Sequence, residues 1–589
     1  MPGRKRRSTT SRTTTKSRTA ARTTTARRST APARSKKPAP ETPTAGPGER
    51  VWVLAVPFRA PAPGAVWHAG LQAHVWIGAE LPPELAPYDP PPYSFERFLE
   101  DELNEKPRPI PLARPMTPRE QQCDGAEVVA AHAAAGGRVF LLGDDPGVGK
   151  TGTAILAVKA IAEQREVRTV LVVADRPAAI TIPHWTRSIA GFGDGGLRWC
   201  VTTWDRLAKV SKLSFDVVVA DEAHMVRHTT TQRWKHWKAV SGAGRAKGAP
   251  FVLACTATPA HTPLELPYLA PEFAVRHGEP IRDWADLPKR LDAHGFHVER
   301  GRYGWQWSDD AAERRTDLTR LQSWLTDADP PATLHRPAPW GQVSVTGTPV
   351  ALTPAERAAY ESEWSEFRAE MQLARRSRQS AKGRAAIMRF RQKAGLIRVQ
   401  ATVDWIRAQV EAERQVAVSV EFVETAADPI REALLDAGIP VAGIYGGAGS
   451  GRDGSGRGLG DPEAERLRFQ RGEALVCVFT VTASISLHAG ELLPDGRPAS
   501  DIPRVGLFHQ PRFSGIQARQ VTGRTHRDGK VSPWRIAFAE DTVEEQVARV
   551  MVERLAVSGS TAGADTASLQ EIAELLDADW LPAAALTEG

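Results

Sequence analysis

Three groups of residues, far apart in the chain, have the types and spacing for work on a phosphate group. The first lies in "LLGDDPGVGKTGTAI", residues 141–155. An apolar run ends there in a glycine-rich turn, and Lys150-Thr151 opens a helical pattern, the context a phosphate-binding loop requires. Backbone N–H groups of such a turn and of the helix N-terminus converge on phosphate oxygens. Gly147 and Gly149 let the backbone approach closely. Lys150 suits the β- and γ-phosphates, and the Thr151 hydroxyl suits Mg²⁺. Asp144 stands where the usual pattern has glycine, so the stretch alone also reads as a tight strand-to-helix turn. The second group, in "VVVADEAH", places Asp221 and Glu222 at the end of an apolar strand, 71 residues after Lys150. Ligands bind at strand ends in parallel sheets. There Asp221 would hold Mg²⁺, directly or through water, and Glu222 would orient and deprotonate an attacking water. The third group, in "QARQVTGRTHRDGK", presents Arg524 and Arg527 three residues apart, expected on one helix face. Two aligned guanidinium groups suit a γ-phosphate reached across a cleft, a device worth about 10³–10⁵ in rate; the bland alternative is a basic surface helix.

These residues need elements to hold them. Apolar runs bounded by turn residues lie at 139–142, 170–174, 217–220 and 251–254, with helical patterns such as "TGTAILAVKAIAEQ" between them. That alternation predicts a parallel α/β domain. A second set, at 416–420, 475–479, 505–508 and 536–538, predicts a second α/β lobe. Between them, near 350–400, the pattern is helical and basic. Ahead of the first lobe, "VWVLAVPFRAPAPGAVWHAGLQAHVWIGAEL" reads as a small β-rich module. A helical stretch follows near 96–104. The expected organisation is a tail at 1–50, the β-rich module at 51–104, lobe one at 105–270, a linker with a helical basic insertion at 271–400, lobe two at 401–550, and an acidic helical tail at 551–589. No repeat of solenoid length is present.

The 589 residues carry a net charge of +7, unevenly placed. Residues 1–40 hold thirteen Lys or Arg and no acid, so the remaining 549 net −6. The first Leu, Ile, Val or Phe is Val51. With nothing to bury, this tail is expected to be disordered, either as an electrostatic arm for nucleic acid or as a solubilising tail. No apolar run reaches the roughly 18 residues that span a bilayer, and no apolar core near the N-terminus could serve as a signal peptide. Cys123, Cys200, Cys255 and Cys477 form no CxxC pair, which leaves reduced thiols and a cytoplasmic setting as the expectation. The His residues show no metal-ligand spacing, so Mg²⁺ with ATP is the metal expected. The Ala/Arg/Gly-rich composition suits a high-GC bacterial or phage genome.

The order of these motifs resembles that of superfamily-two nucleic-acid motors, and most closely the Swi/Snf-like DNA translocases. "DDPGVGKT" is similar to their first motif, which normally begins with Asp, and this accounts for Asp144. "PREQQCDG" resembles their adenine-reading segment, with Gln122 at its centre. "VLVVADRPAAITIPHW" resembles the next motif, ending at Trp185. "VTTWDRL" carries Thr202 and Thr203, which the resemblance places near the nucleic-acid backbone. "TATPAHTPLEL" looks like the coupling motif, "FTVTASISLHAG" the fifth and "GRTHRDG" the sixth. The likeness spans roughly residues 105–550. It implies two RecA-like lobes with ATP and Mg²⁺ in their cleft: Gln122, Asp144, Gly147, Gly149, Lys150 and Thr151 binding nucleotide, and Lys150, Asp221, Glu222, Arg524 and Arg527 catalysing hydrolysis. It further implies His224, Thr256, Thr258 and Gln520 as coupling residues, and Thr480 beside Thr202 and Thr203 on DNA. This sequence departs from the pattern in its glycine-free "TASISLH" and in His261, which stands where Asn is frequent. "VPFRAPAPGAVWHAGLQAHVWI" is similar to small modules on annealing-helicase-like proteins, with Trp67 and Trp76 at matching places; such a module binds nucleic acid by stacking, or simply buries two core tryptophans.

Two further stretches remain. "ARRSRQSAKGRAAIMRFRQKAGLIR" has nine basic residues from Arg375 to Arg398 and no acid. One-signed charge suggests phosphate contacts through Arg375, Arg376 and Arg378, against the alternative of an exposed face. "YGGAGSGRDGSGRGLGDP" reads as a flexible loop, because no helix opens on its glycines before Pro462. The expectation is a duplex-DNA-stimulated ATPase and translocase with no membrane role. The alternatives are a strand-separating DNA or RNA helicase, or a DNA-binding scaffold whose motor has decayed. No protein partner is legible.

Overall fold

The computed structural model describes residues 42–551 except 57–59, 105–106, 111–113, 176–177, 246, 258, 261, 302–303, 309, 342, 377–379, 446–459, 481–484, 512–514, 546 and 549–550. The basic tail, most of the glycine-rich loop, Thr258, His261, Arg378, residues 481–484 of the fifth motif and the acidic C-terminal stretch thus lie outside the described residues.

The chain begins with three antiparallel strands, β1 (Arg50–Leu54), β2 (Val66–His68) and β3 (Ala73–Gly78), in the order β1-β3-β2. Helix α1 (Phe95–Leu103) follows, capped by the Ser94 hydroxyl, which accepts from Arg97 N–H. Its Phe95, Phe98 and Leu99 recur at helical spacing and are buried with Val51, Val53 and Val75 against Trp204, Leu207 and Phe215. The small module therefore has no core of its own; it shares the core of lobe one.

Lobe one runs through α2 (Glu120–Ala134), β4 (Val139–Leu142), α3 (Lys150–Gln164), β5 (Thr169–Ala174), α4 (Ala178–Phe192), β6 (Arg198–Thr203), α5 (Leu207–Val210), β7 (Val217–Asp221), α6 (Gln232–Val240) and β8 (Phe251–Cys255). Strands β4, β5, β7 and β8 are Val- and Leu-rich and buried almost throughout, as strands covered on both faces must be. The chain then adds α7 (Ala270–Arg276), α8 (Leu287–Ala293), the hairpin β9 (Val298–Gly301) and β10 (Gly304–Trp307), and α9 (Ala311–Leu325). Phe273, Trp284, Phe296 and Trp324 pack these pieces together. A short strand, β11 (Thr333–Leu334), returns to pair with β4, giving the parallel order β11-β4-β8-β7-β5-β6.

Lobe two opens with β12 (Val345–Val350) and three helices, α10 (Pro354–Arg376), α11 (Ser380–Ile397) and α12 (Val399–Glu411). It continues with β13 (Gln415–Val420), α13 (Asp428–Asp436), β14 (Val441–Ile444), α14 (Pro462–Gln470), β15 (Val476–Thr480), β16 (Arg504–Phe508), α15 (Gly515–Thr522) and β17 (Trp534–Ala539). The sheet is parallel, in the order β12-β17-β16-β13-β15-β14. Two RecA-like parallel-sheet lobes and a small N-terminal β module are thus present. Each sheet also takes an edge strand from residues 271–400, the stretch read in sequence as linker. No described helix is long and apolar enough to cross a membrane.

Candidate functional site

The C-terminal ends of β4, β5, β7 and β8 bring together the loop at 143–149, Asp175, Asp221, Glu222 and Thr256. Gly147 and Gly149 have φ of 90° and 110°, the left-handed region that favours glycine. A Cβ on Gly149 would lie 2.5 Å from Nε2 of Gln122. One on Gly147 would lie 2.8 Å from both Arg527 Nε and Trp340 Cζ2. Helix α3 opens at Lys150 without a side-chain cap, so its leading N–H groups face the loop. Lys150 Nζ donates to the carbonyl oxygens of Asp144 at 2.7 Å and Asp145 at 3.3 Å. Two glutamines lace α2 to the loop: Gln121 donates to Val148 O and Gln122 to Gly149 O, each at 3.1 Å. The Gln122 Oε1 meanwhile accepts from Arg119 N–H at 2.9 Å. Gln122, expected to read adenine, therefore braces the loop with its amide nitrogen and caps α2 with its amide oxygen.

Asp144, expected in the nucleotide site, is fully buried, and its carboxylate is taken up by Arg336. Its Oδ1 accepts from the backbone N–H and Nε of Arg336, both at 3.0 Å, and Oδ2 accepts from Arg336 Nη2. A buried carboxylate is tolerable only with such a partner. Arg336 also donates to Gln121 O. It lies just past β11, where nothing in "LHRPAPW" signals the role.

Strand β7 ends at Asp221, and Glu222 takes φ 52°, a sparsely populated conformation for a residue with a Cβ. Trp185 Nε1 donates to Asp221 Oδ2 at 3.2 Å, and Trp204 Nε1 donates to Asp221 O at 2.8 Å. Thr256 Oγ1 donates to Glu222 Oε2 at 3.2 Å, and His224 Nδ1 lies 3.1 Å from the same hydroxyl. Burial, then the adjacent Glu222 charge, pushes the Asp221 carboxyl up. Burial works on Glu222 in the same sense, but the His224 hydrogen bond and charge, then Lys150 and Arg524, hold it down. The adjacent acids are thus shifted in opposite directions, Asp221 toward the neutral form and Glu222 toward the ionised one.

In lobe two the expected helix face is corrected. Helix α15 ends at Thr522, and Arg524 and Arg527 lie in the turn that follows. The last helical carbonyls accept from Gly523 and Arg524, and positive φ at Asp528 and Gly529 turns the chain so that Arg527 pairs with Lys530. Arg524 Nη1 donates to Ile485 O at 3.3 Å. The Nε atoms of Arg524 and Arg527 are buried without an acceptor among the described residues. Burial, then neighbouring Arg527, lowers the Arg524 guanidinium to about 10, with Glu222, Asp175 and Asp221 opposing; it remains charged at neutral pH. The lobes meet here: a Cβ on Gly523 would lie 3.0 Å from Pro146 Cβ. Arg119 pairs with Asp528 at 2.9 Å and Arg187 with Glu463 at 3.3 Å. Left-handed glycines, a free helix N-terminus, an ammonium and two buried unspent guanidinium N–H groups fit a phosphate chain. Asp221 at the end of β7 and Thr151 in the first turn of α3 offer the kind of oxygen ligands that suit Mg²⁺.

The other expected residues are scattered. Thr202 and Thr203 end β6 and are buried, Thr480 ends β15, and Gln520 is half-buried on α15. Arg375 and Arg376 close α10. The later part of the basic stretch, from Arg389 on, is not one-signed in space. Lys393 pairs with Glu363 and Arg389 with Glu370, both acids of the neighbouring α10, while Arg391 meets Glu421 and Arg398 meets Glu544. In the small module Trp67 is 55% exposed, whereas Trp76 is half-buried and donates to Glu80 O; Trp67 is not a core residue.

No protein-family model matches the chain, and no curated protein sequence does either. Among solved structures it is similar to the SWI2/SNF2 ATPase core of Sulfolobus solfataricus in complex with double-stranded DNA, at 15% identity and a TM-score of 0.30, over 80% of this chain and 99% of that one.

Proposed function

We propose that this chain is a DNA-dependent ATPase that moves along duplex DNA, with ATP and Mg²⁺ held between its lobes. The observation that carries the reading is the approach of the Arg524–Arg527 turn to the phosphate loop: a Cβ on Gly147 would lie 2.8 Å from Arg527 Nε, and one on Gly523 3.0 Å from Pro146 Cβ. Lys150 and the N–H groups of α3 would hold the phosphates, and Thr151 and Asp221 the Mg²⁺. Glu222 would orient the attacking water and take its proton, and Arg524 with Arg527 would meet the charge developing on the γ-phosphate. His224 and Thr256, bonded to Glu222, would relay its state to the rest of lobe one. Opening and closing of the cleft would alternate the grip of two DNA-contacting surfaces. Duplex tracking rests on the likeness of the motif order to Swi/Snf-like translocases, and the basic tail would add sequence-independent phosphate contacts in the cytoplasm.

The test compares ATP turnover with duplex DNA, single-stranded DNA and RNA, then pairs two assays in ATP and Mg²⁺. We expect duplex DNA to stimulate most, a third strand to be displaced from a duplex track, and a forked duplex to stay closed. Efficient fork unwinding would replace this reading with the helicase. Strong DNA binding with neither activity would replace it with the decayed scaffold.

A further inference from the structure

The second acid of the phosphate loop has no part in the scheme above. Asp145 is 5% exposed, and its two oxygens join three regions of the chain. Oδ1 lies 3.3 Å from His335 Nε2, and Oδ2 accepts from Ala338 N–H at 3.0 Å. Both partners belong to the stretch that leaves β11 for lobe two. Oδ2 also accepts from Arg519 Nη2 at 2.8 Å, and Arg519 sits in the last turn of α15. Burial works to raise the Asp145 carboxyl, but the His335 and Ala338 hydrogen bonds and the Arg519 charge hold it below its usual value. Arg519 O in turn accepts from Gly523 N–H at 3.1 Å, the residue before Arg524. The ion pair is thus one short turn from Arg524 on one side and directly before Pro146 and Gly147 on the other.

We propose that Arg519 and Asp145 are a positioning pair: their ion pair registers the turn bearing Arg524 and Arg527 against the phosphate loop. The inference rests on the ATPase reading. Neither side chain is given a chemical role in the proposed reaction. Separation of the lobes would break the pair, because its members lie on different lobes, while the His335 and Ala338 contacts need not break. The pair therefore favours the closed arrangement and leaves binding to lobe one alone largely untouched.

The test uses the full chain with duplex DNA and compares wild type with Arg519→Gln, Arg519→Lys, Asp145→Asn and the double variant Asp145→Asn/Arg519→Gln. It measures kcat, KM for ATP, affinity for a non-hydrolysable ATP analogue, and the thermal midpoint. We expect Arg519→Gln and Asp145→Asn each to lower kcat about tenfold, within the range for residues that couple sites without touching ligand. Analogue affinity should stay within about twofold, Arg519→Lys should recover most of kcat, and the double variant should be no worse than either single one. Unchanged kcat in Arg519→Gln, losses that multiply in the double variant, or a loss confined to analogue affinity would each overturn the pair. If Arg519→Gln does not melt cooperatively, Asp145→Asn carries the decision by the same readouts. A wild-type chain that neither binds nor hydrolyses ATP overturns the proposed function itself, and this inference falls with it.

Discussion

The two lobes bring their charged groups to the cleft in different states. In lobe one Lys150, Gln122 and Asp144 all have partners within their own lobe or the stretch that follows it. So do Asp221 and Glu222, through Trp185 and Thr256. In lobe two the Nε atoms of Arg524 and Arg527 are buried with no acceptor among the described residues. An unsatisfied buried donor costs about 1–3 kcal/mol, more when charged. A site tolerates that cost when the missing acceptor is a ligand. Under the proposed function, the braced lobe would hold the nucleotide and the lobe with unspent donors would accelerate the reaction.

The sharpest way to break this contrast is Arg524→Ala. Turnover should fall about 10³–10⁵-fold, as for an arginine that meets γ-phosphate charge, while nucleotide affinity changes little. Steady-state hydrolysis beside equilibrium nucleotide binding measures both, and full turnover would remove lobe two from the chemistry. A smaller effect is expected from Glu222→Gln in lobe one. The amide still accepts from Thr256 but is no base, so turnover should drop about 10²–10⁴-fold with binding intact; lost binding would mean Glu222 braces the loop instead.

The third test asks whether lobe two's unpaired groups are special to the cleft. Away from it, His509 is buried, with Nδ1 2.8 Å from Thr402 Oγ1 and Nε2 3.0 Å from Gly395 O. Burial, then Arg398, pushes its pKa to about 3. The folded value lies below the unfolded one of about 6.5, so the unfolded chain binds the extra proton between them. Stability is therefore complete above about pH 6.5 and is lost as pH falls toward 3, at up to about 1.4 kcal/mol per pH unit for one group. Urea unfolding at pH 7 and pH 5 should show this slope in wild type and a shallower one in His509→Asn. Equal slopes would show that His509 titrates freely in the fold.

Much of this architecture was legible in the residues. The runs at 139–142, 217–220, 416–420 and 505–508 became central strands because a strand buried on both faces needs continuous apolar residues, which a sequence displays openly. For the same reason Asp221 and Glu222 could be placed at a strand end. The glycine turn before Lys150 was equally visible, since only glycine occupies its positive φ at no cost. The edge strands were hidden. Strand β11 has two residues, and β12 carries Gly347 and Pro349, so neither has a run long enough to declare itself.

Composition and local pattern thus determined that this chain builds two parallel α/β lobes, with a phosphate-type loop in the first and paired arginines in the second. Partnership was decided only by the tertiary structure. Asp144 meets an arginine 192 positions later, and Asp145 one 374 positions later. In the acid-free stretch from Arg375 to Arg398, Arg389 and Lys393 are met by glutamates on the helix before it. A local pattern records what each residue can offer, whereas a charge inside a fold is settled by whichever group the packing brings within about 3 Å, and distance along the chain carries no information about that.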